Sequence, residues 1–202
     1  MSTEISKGES TRQRIIAEAA PIFNQRGYEG CSIQAIMDAT GLEKGGIYRH
    51  FESKEELAAE AFDHAWKTVS ATRRRGMDTI SNEVDRLKLH VANFLEATPF
   101  PGGCPVLNTG VDADDGNPVL RARVKAAFHN WRTMIVDTLE QGQRSGTVRP
   151  DIDALRVANR IIGSLEGANL LARIEKNRSV FHDTLAQLDS YLETEVRTPR
   201  RA

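Results

Sequence analysis

Apolar residues recur at every third or fourth position along most of the 202-residue chain. This spacing places them on one face of an α-helix, and no stretch shows the strict alternation of a half-buried strand. Ile15, Ala19 and Phe23 begin the pattern, and Leu185 and Leu188 continue it near the end. We therefore predict an all-α fold of about nine helices, in which a domain of three short helices is followed by a larger helical domain.

Proline, glycine and capping residues set the expected ends of the first helices. The first helix is predicted to bend at Pro21 and to end at Gly27, because proline removes a backbone donor and glycine often follows a helix. The third helix is predicted from Glu43 to Phe51. Ser53 precedes the fourth helix and is followed three residues later by Glu56, which is the pattern of a capping box.

Two later helices have clear starting residues. Pro105 predicts the first turn of a short helix that reaches about Asp112. Asp151 or Asp153 opens a helix that continues to about Lys176. The apolar residues of this second helix lie on more than one face, so we expect it to be buried on two sides.

The segment GLEKGGIYRHF (residues 41–51) follows a tight turn between the second and third predicted helices. Three short helices with such a turn are typical of a helix-turn-helix DNA-binding domain, although the spacing alone fits an ordinary corner in a helical bundle equally well. The obvious core residues of this segment are Leu42, Ile47 and Phe51. The side chains left to project are those of Lys44, Tyr48, Arg49 and His50. Such cationic and aromatic groups suit phosphates and base edges, which favours the DNA-binding interpretation.

Two adjacent glycines, Gly45 and Gly46, lie inside this short helix. Each costs about 1 kcal/mol of helix propensity relative to alanine. Their missing side chains allow the helix backbone to approach DNA closely. We expect the pair to shape the contact without choosing the bases.

The formal net charge of −1 shows that the chain does not bind polyanions by bulk charge. Residues 1–54 contain seven basic and seven acidic side chains, so the charge of this part also sums to zero. Any DNA contact must therefore come from a local arrangement of residues, and we expect a moderate salt dependence.

The beginning of the chain lacks the apolar core of a signal peptide, and no run approaches the roughly 18 apolar residues of a membrane helix. We therefore expect a cytoplasmic protein without membrane contact. The two cysteines, Cys31 and Cys104, are far apart and have no histidine nearby. This spacing indicates no disulfide framework and no metal or cofactor site.

The run SIQAIMDATGLEKGGIYRHFESKEEL (residues 32–57), preceded by RIIAEAAPIFNQRGY (residues 14–28), resembles the N-terminal domain of the tetracycline-repressor (TetR) family of transcriptional regulators. The resemblance implies a homodimer that binds a palindromic operator in double-stranded DNA and releases it when a small effector binds. It also implies a DNA-binding domain over residues 1–54 and an effector-binding and dimerisation domain over residues 55–202.

Carried over by position, the resemblance assigns the DNA contacts to the second and third helices and their edges. The residues concerned are Ser32, Gln34, Lys44, Gly45, Gly46, Tyr48, Arg49, His50 and Lys54.

The larger domain has no motif of comparable specificity. Inward-facing residues of its helices make up the expected effector pocket: Val91, Phe94, Phe100, Cys104, Leu107, Asn108, Phe128, Trp131, Met134, Glu166 and Asn169. Small residues and an apolar stripe on its last two helices make up the expected dimer interface: Ile161, Gly163, Ser164, Gly167, Leu171, Phe181, Leu185, Leu188 and Leu192.

Three other functions are alternatives to a ligand-released repressor. Cys104 is predicted at a helix start, where the dipole lowers a thiol pKa, and this position allows a redox or electrophile sensor. A helical protein-interaction module explains the apolar stripes but leaves the projecting Lys44 and Tyr48 without a role. An enzyme is not expected, because the five histidines show no partner spacing typical of acid–base catalysis.

Overall fold

The structure is a computed structural model that describes residues 6–95 and 101–199. Within these residues the backbone forms nine α-helices, and the β-structure is limited to one bridge between Val148 and Arg197. The helices are α1 (Lys7–Gly30), α2 (Ile33–Thr40), α3 (Lys44–Tyr48), α4 (Lys54–Arg73), α5 (Glu83–Ala92), α6 (Pro105–Ala113), α7 (Pro118–Ser145), α8 (Ala154–Ile174) and α9 (Ser179–Tyr191). The predicted all-α fold is confirmed. None of the helices in the described ranges has the length and apolarity needed to span a membrane.

The chain forms two compact units. The first contains the described residues up to Val69 and those from Pro101 to Ala127, and the second contains the remaining described residues. Helix α6 therefore belongs to the same unit as α1, α2 and α3. The expected functional division at residues 54 and 55 is a different kind of boundary and stays a prediction.

The first unit is built around the apolar faces of α1 to α4. Its core contains residues from each of these helices and from the segments between them: Ile15, Ile16, Ala19, Ala20, Cys31, Ile36, Ile47, Phe51, Leu57, Ala61 and Ala65. The Ser53 half of the predicted capping box is present, since the Ser53 hydroxyl accepts from the backbone N–H of Glu56 at 3.0 Å. The Glu56 carboxylate in turn accepts from the backbone N–H of Glu52 at 2.6 Å.

Helix α1 continues past the residue where it was expected to end. It is interrupted at Gly27, the residue predicted to end it, which has the non-helical dihedral angles φ 71° and ψ 177°. A Cβ atom at this glycine would lie 2.7 Å from a carboxylate oxygen of Asp112. That carboxylate accepts from the backbone N–H of Tyr28 at 2.7 Å, which ties α6 to the break in α1.

Helix α3 is shorter than the predicted span of residues 43–51. It ends at Tyr48 because the following backbone tightens, with the N–H of His50 donating to the carbonyl oxygen of Ile47 at 2.9 Å. This i to i+3 bond forms a turn that brings Phe51 into the core.

The second unit contains α5, α8, α9 and the C-terminal part of α7. Its largest fully buried apolar side chains are those of Leu87, Ile135, Leu139, Ile161, Leu165 and Leu192. Asp153 is the residue that caps α8, accepting from the backbone N–H of Arg156 at 3.1 Å.

Helix α8 is buried on one side only within the protomer, whereas two-sided burial was expected. Leu165 is fully buried, but 47% of Leu171 and 75% of Ile174 are exposed. The other side of α8 is therefore exposed, and its C-terminal part includes the apolar side chains of Leu171 and Ile174.

Candidate nucleic-acid interface and effector site

The turn between α2 and α3 is held by a small set of hydrogen bonds. Gly41 adopts the left-handed conformation with φ 66°, which lets the chain leave α2 abruptly. The Thr40 hydroxyl donates to the carbonyl oxygen of Ile36 at 2.8 Å, and Arg14 donates to the carbonyl oxygen of Thr40 at 2.8 Å. These bonds fix the direction in which α3 leaves the turn.

Helix α3 has one buried side and one exposed side. Ile47 is fully buried in the core of the first unit, whereas Lys44, Tyr48 and Arg49 are exposed. The ammonium of Lys44 lies 6.0 Å from the centroid of the Tyr48 ring. A cation and an aromatic ring therefore lie side by side on the exposed side.

The two glycines of α3 have different surroundings. A Cβ atom at Gly45 would meet no atom within 4 Å, so this position opens directly to solvent. A Cβ atom at Gly46 would lie 3.6 Å from Cβ of Leu42, an ordinary contact distance. Only the first glycine leaves a gap on the side that Lys44 and Tyr48 occupy.

The other predicted DNA contacts lie around this side. Ser32 is exposed and caps α2 by accepting from the backbone N–H of Ala35 at 3.1 Å. Gln34 is exposed and donates to Asp38 at 2.8 Å. His50 and Lys54 are half-buried, and the Lys54 ammonium lies 4.3 Å from the centroid of the Tyr28 ring.

The predicted effector residues fall into both compact units. Cys104, Leu107 and Asn108 belong to the first unit, and Phe100 lies outside the described residues. The side-chain amide of Asn108 donates to the carbonyl oxygens of Asn24 at 3.0 Å and Gly102 at 2.7 Å. Asn108 therefore links α6 to α1.

Within the second unit, several predicted effector residues meet around Arg73, the last residue of α4. Its guanidinium carbon lies 3.8 Å from the centroid of the Phe94 ring and 5.0 Å from that of Trp131. Its Nη1 lies 3.3 Å from Oε1 of Glu166. The Phe128 ring stacks on Trp131 at 6.5 Å, and we call these five residues the Arg73 cluster. Val91 is buried in the same unit, and Met134 and Asn169 are half-buried there.

His90 supports the Arg73 cluster from α5. Its Nδ1 lies 3.0 Å from the carbonyl oxygen of Arg73, and the indole N–H of Trp131 donates to its Nε2 at 2.9 Å. Because indole can only donate, Nε2 must accept and Nδ1 must carry the proton. The ring is therefore neutral in the folded protein.

We expect the protein to lose stability as the pH falls from about 6.5 towards 4. Burial lowers the pKa of His90 from 6.5 to about 4. Between these values the unfolded chain binds a proton on His90 and the folded chain does not. The contribution to the free energy of unfolding is therefore fully present above pH 6.5 and is lost as the pH falls through this window, by up to about 3 kcal/mol.

Urea unfolding of the wild type and of His90→Gln at several pH values measures this contribution. The amide of glutamine does not titrate, so the variant should show the weaker loss of stability between pH 6.5 and 4. Parallel pH profiles for the two proteins would contradict the assignment.

Sequence reasoning did not find Arg73 and His90. The sequence does contain a signal for Arg73. It continues the helical repeat of the buried face of α4, which includes Phe62, Ala65 and Val69. An arginine at such a position is rarely buried without a partner. His90 follows Leu87 by three residues, a spacing that places it on the buried face of α5.

Cys104 lies at the N-cap of α6, as predicted, and its side chain is fully buried. A buried thiol is not accessible to an oxidant, so this geometry does not favour the sensor alternative.

We expect Cys104→Ser to leave operator affinity and effector response unchanged. Operator-binding assays with and without hydrogen peroxide check this expectation, and a peroxide response that the variant loses would contradict it.

The predicted dimer residues also separate into two groups. Gly163, Gly167 and Leu171 are exposed on α8, and Ser164 is half-buried. The remaining members are buried within the protomer, at 7% exposure or less: Ile161, Phe181, Leu185, Leu188 and Leu192. The apolar surface of this second group is therefore already covered by the chain itself. The exposed apolar side chains of α8 are those of Leu155, Leu170, Leu171 and Ile174.

A helix-turn-helix with a fixed turn and an exposed, cation-bearing third helix defines a class, the DNA-binding transcriptional regulators. The family model for bacterial regulatory proteins of the tetR family matches residues 15–61. The model for a tetracyclin repressor-like C-terminal domain matches residues 84–188, which is more than half of the chain. The chain belongs to the TetR family of transcriptional regulators.

Individual relatives support this assignment over most of the chain. The HTH-type transcriptional repressor DhaR of Mycobacterium sp. strain GP1 is 32% identical over 171 residues, covering 83% of this chain and 84% of the relative. The HTH-type transcriptional repressor KstR2 of Mycobacterium tuberculosis is 30% identical over 145 residues, which cover 71% of this chain and 72% of the relative. A crystal structure of a TetR transcriptional regulator from Chloroflexus aurantiacus matches with a TM-score of 0.91 and 44% identity, covering 96% of this chain and 99% of that chain.

The family assignment settles the class of function. The protein is a ligand-responsive, DNA-binding transcriptional regulator, and regulators of this family act by binding and not by catalysis. This agrees with the expectation that the chain is not an enzyme.

Proposed function

We propose that the protein is a homodimeric repressor that binds a palindromic operator through α3 and is released by a small molecule. The observation that carries the proposal is the exposed side of α3, where Lys44, Tyr48 and Arg49 surround the open position at Gly45. Residues 1–54 bind DNA in this proposal, and residues 55–202 bind the effector and form the dimer.

Close approach of the α3 backbone is the first step of recognition. The open position at Gly45 lets the helix enter the major groove deeply enough for Lys44 and Tyr48 to reach base edges. Arg49 and His50 follow at the C-terminal end of α3 and contact phosphates, with Gly46 packed on Leu42 beneath them.

Phosphate contacts at the edges hold the domain in register. Ser32 and Gln34 are exposed at the start of α2, where backbone N–H groups favour an anion. The Lys54 ammonium, placed over the Tyr28 ring, supplies a positive charge at the start of α4.

Pairing of positive charges with carboxylates inside the protein keeps its nonspecific binding to DNA weak. Arg12 is paired with Glu60 and Glu56, so its charge is compensated within the protein. Specific binding then depends on two domains acting together, which gives a moderate salt dependence.

The exposed side of α8 supports a homodimer. Gly163 and Gly167 have no neighbouring atom within 4 Å of an ideal Cβ position, so a second helix has room to approach there. Leu171 and Ile174 continue this side with exposed apolar surface. A two-fold axis through it would pair each α8 with its copy.

Gel-shift titration against DNA from the promoter region beside the protein's own gene tests the proposal. We expect a shift by the dimer that resists unrelated competitor DNA and weakens as salt increases. A shift that unrelated DNA removes equally well would contradict a sequence-specific repressor.

A further inference from the structure

We propose that Gln34 reads an adenine in the major groove of each operator half-site and that Asp38 orients its amide for this contact. The inference rests on the proposed function, which places the start of α2 beside the DNA, and it assigns one base to one side chain. It is carried by the hydrogen bond between the two residues, in which Nε2 of Gln34 donates to a carboxylate oxygen of Asp38 at 2.8 Å.

The two residues lie one turn apart on the exposed side of α2. The opposite side of this helix carries Ile36 and Thr40, which are buried in the first unit. Residues i and i+4 of a helix are neighbours, so the side chains of Gln34 and Asp38 meet across one turn. Because both side chains are exposed, the remaining groups of the Gln34 amide can reach a partner outside the chain.

Asp38 determines which way the amide of Gln34 is turned. A carboxylate can only accept hydrogen bonds, so the NH2 group of the amide, and not its carbonyl oxygen, faces Asp38. The carbonyl oxygen Oε1 is turned away and has no hydrogen-bond partner among the residues that the structure describes. One N–H of the amide also stays available, because the bond to Asp38 uses only one of the two. Gln34 therefore presents an acceptor beside a donor.

This pair of groups suits a base better than a phosphate. Phosphate oxygens only accept, so they cannot pair with the outward Oε1 of Gln34, and the negative charge of Asp38 repels them.

In the major groove, adenine offers the N6 amino donor beside the N7 acceptor, which complements both groups of the amide. Cytosine offers only an amino donor there, guanine two acceptors, and thymine an acceptor and a methyl group. Adenine is therefore the base that satisfies both groups of Gln34. The backbone N–H groups at the start of α2 and the side chain of Gln34 contact different parts of the DNA.

Binding-site selection identifies the base pair that Gln34 reads. The DNA is the promoter fragment beside the protein's own gene, partly randomised at each base pair that the protein protects from nuclease, and the bound fraction is sequenced. The wild type is compared with Gln34→Met, which keeps the length of the side chain and removes its amide. We expect this variant to lose an adenine preference at one position in each half-site and to bind the promoter at least about tenfold more weakly.

Gln13→Met is the matched control. Gln13 is an exposed glutamine on α1 that donates to Glu9 at 2.8 Å, also four residues away, and it lies outside the proposed DNA contacts. This variant should keep the wild-type preference at every position. Loss of the same adenine preference in it would contradict the inference.

Base analogues at the position so identified test the atoms of the contact. Replacing the adenine by purine removes the N6 amino group, 7-deazaadenine removes N7, and 2,6-diaminopurine adds an amino group in the minor groove. We expect each of the first two to weaken wild-type binding at least about fivefold, while the third leaves it unchanged. Gln34→Met should bind the duplexes with adenine and with each analogue equally well.

Asp38→Asn tests the orienting role of the carboxylate. An asparagine amide can donate or accept, so the amide of Gln34 is no longer held one way round, although the shape is retained. We expect the adenine preference at the Gln34 position to fall at least about fivefold and the preferences at other positions to remain. Binding to unrelated DNA should not weaken, because the substitution removes a negative charge. A merely structural role of Asp38 would weaken the preferences at all positions alike.

Promoter binding by the wild type is measured first. Sequence-specific binding with an unchanged adenine preference in Gln34→Met would refute the inference and leave the repressor proposal standing. A lost preference for a base other than adenine would refute it in the same way, and a full adenine preference in Asp38→Asn would refute the orienting role. Absence of sequence-specific binding by the wild type would instead refute the repressor proposal itself.

Discussion

Gly45→Leu should abolish operator binding in a dimer that remains folded. Leucine is compatible with the free protein, because a Cβ atom at Gly45 meets nothing within 4 Å and leucine has the higher helix propensity. In the complex the added side chain would hold α3 away from the base edges. Each lost base contact costs about 1–3 kcal/mol, and a dimer loses them in both half-sites, so we expect an affinity decrease of at least about 100-fold.

Gly116→Leu is the matched control for this variant. Gly116 is also exposed, with no atom within 4 Å of its ideal Cβ, and it lies in the turn before α7. It should retain wild-type operator affinity. Anisotropy titrations with promoter DNA, together with circular dichroism and effector binding, measure both variants. Wild-type operator affinity in Gly45→Leu would refute the role given to this glycine.

Leu171→Glu should convert the dimer to monomers and thereby weaken operator binding. Leu171 is 47% exposed in the protomer, so the substitution should change the stability of the folded chain by no more than about 0.5 kcal/mol. In a dimer paired through α8, both protomers would bury this charge at the interface, because the two-fold axis repeats every contact. The burial would cost several kcal/mol. We expect the dimer dissociation constant to rise by at least about 100-fold.

Val111→Glu provides the comparison on a different surface. Val111 is 73% exposed on α6 and lies outside the proposed interface. Sedimentation equilibrium gives the association state of both variants, and anisotropy gives their operator affinity. If Leu171→Glu stays dimeric, the exposed side of α8 is not the interface. If Val111→Glu dissociates instead, the interface includes α6.

Local signals in the sequence predicted most of the helices and their capping residues. Ser32, Ser53 and Asp153 each cap a helix by accepting from the backbone N–H three residues ahead, which a sequence pattern can show. Pro105 lies in the first turn of α6, and this signal is also local in sequence. The interruption of α1 lies at Gly27, where the helix was predicted to end, but the approach of Asp112 to this glycine could not be predicted because Asp112 is distant in sequence.

The candidate DNA-binding side was predictable because it belongs to one continuous segment. Whether Lys44 or Ile47 faces solvent follows from helical spacing within a few residues. The dimer prediction mixed exposed and buried residues, since an apolar stripe alone does not show which helix of the same chain covers it. Phe181 and Leu188 are covered within their own protomer, while Leu171 is not.

The Arg73 cluster was the least predictable part, because it depends on side chains brought together from distant positions. Arg73 and Glu166 are 93 residues apart, and His90 and Trp131 are 41 apart. No spacing rule connects them. The amide of Asn108 bonds to Asn24 and Gly102 through packing that only the fold reveals, and its contact with an effector stays a prediction.

Photo-cross-linking from α3 is the most direct test that this helix binds the operator. Tyr48 is replaced by p-benzoylphenylalanine, and the same replacement at Val111, on an exposed surface without a proposed DNA contact, serves as the comparison. We predict that the residue-48 protein cross-links to bases within each half-site of promoter DNA and that the residue-111 protein does not. Cross-linking from residue 111 alone, or from residue 48 to promoter and unrelated DNA alike, would contradict the assignment of α3 as the recognition helix.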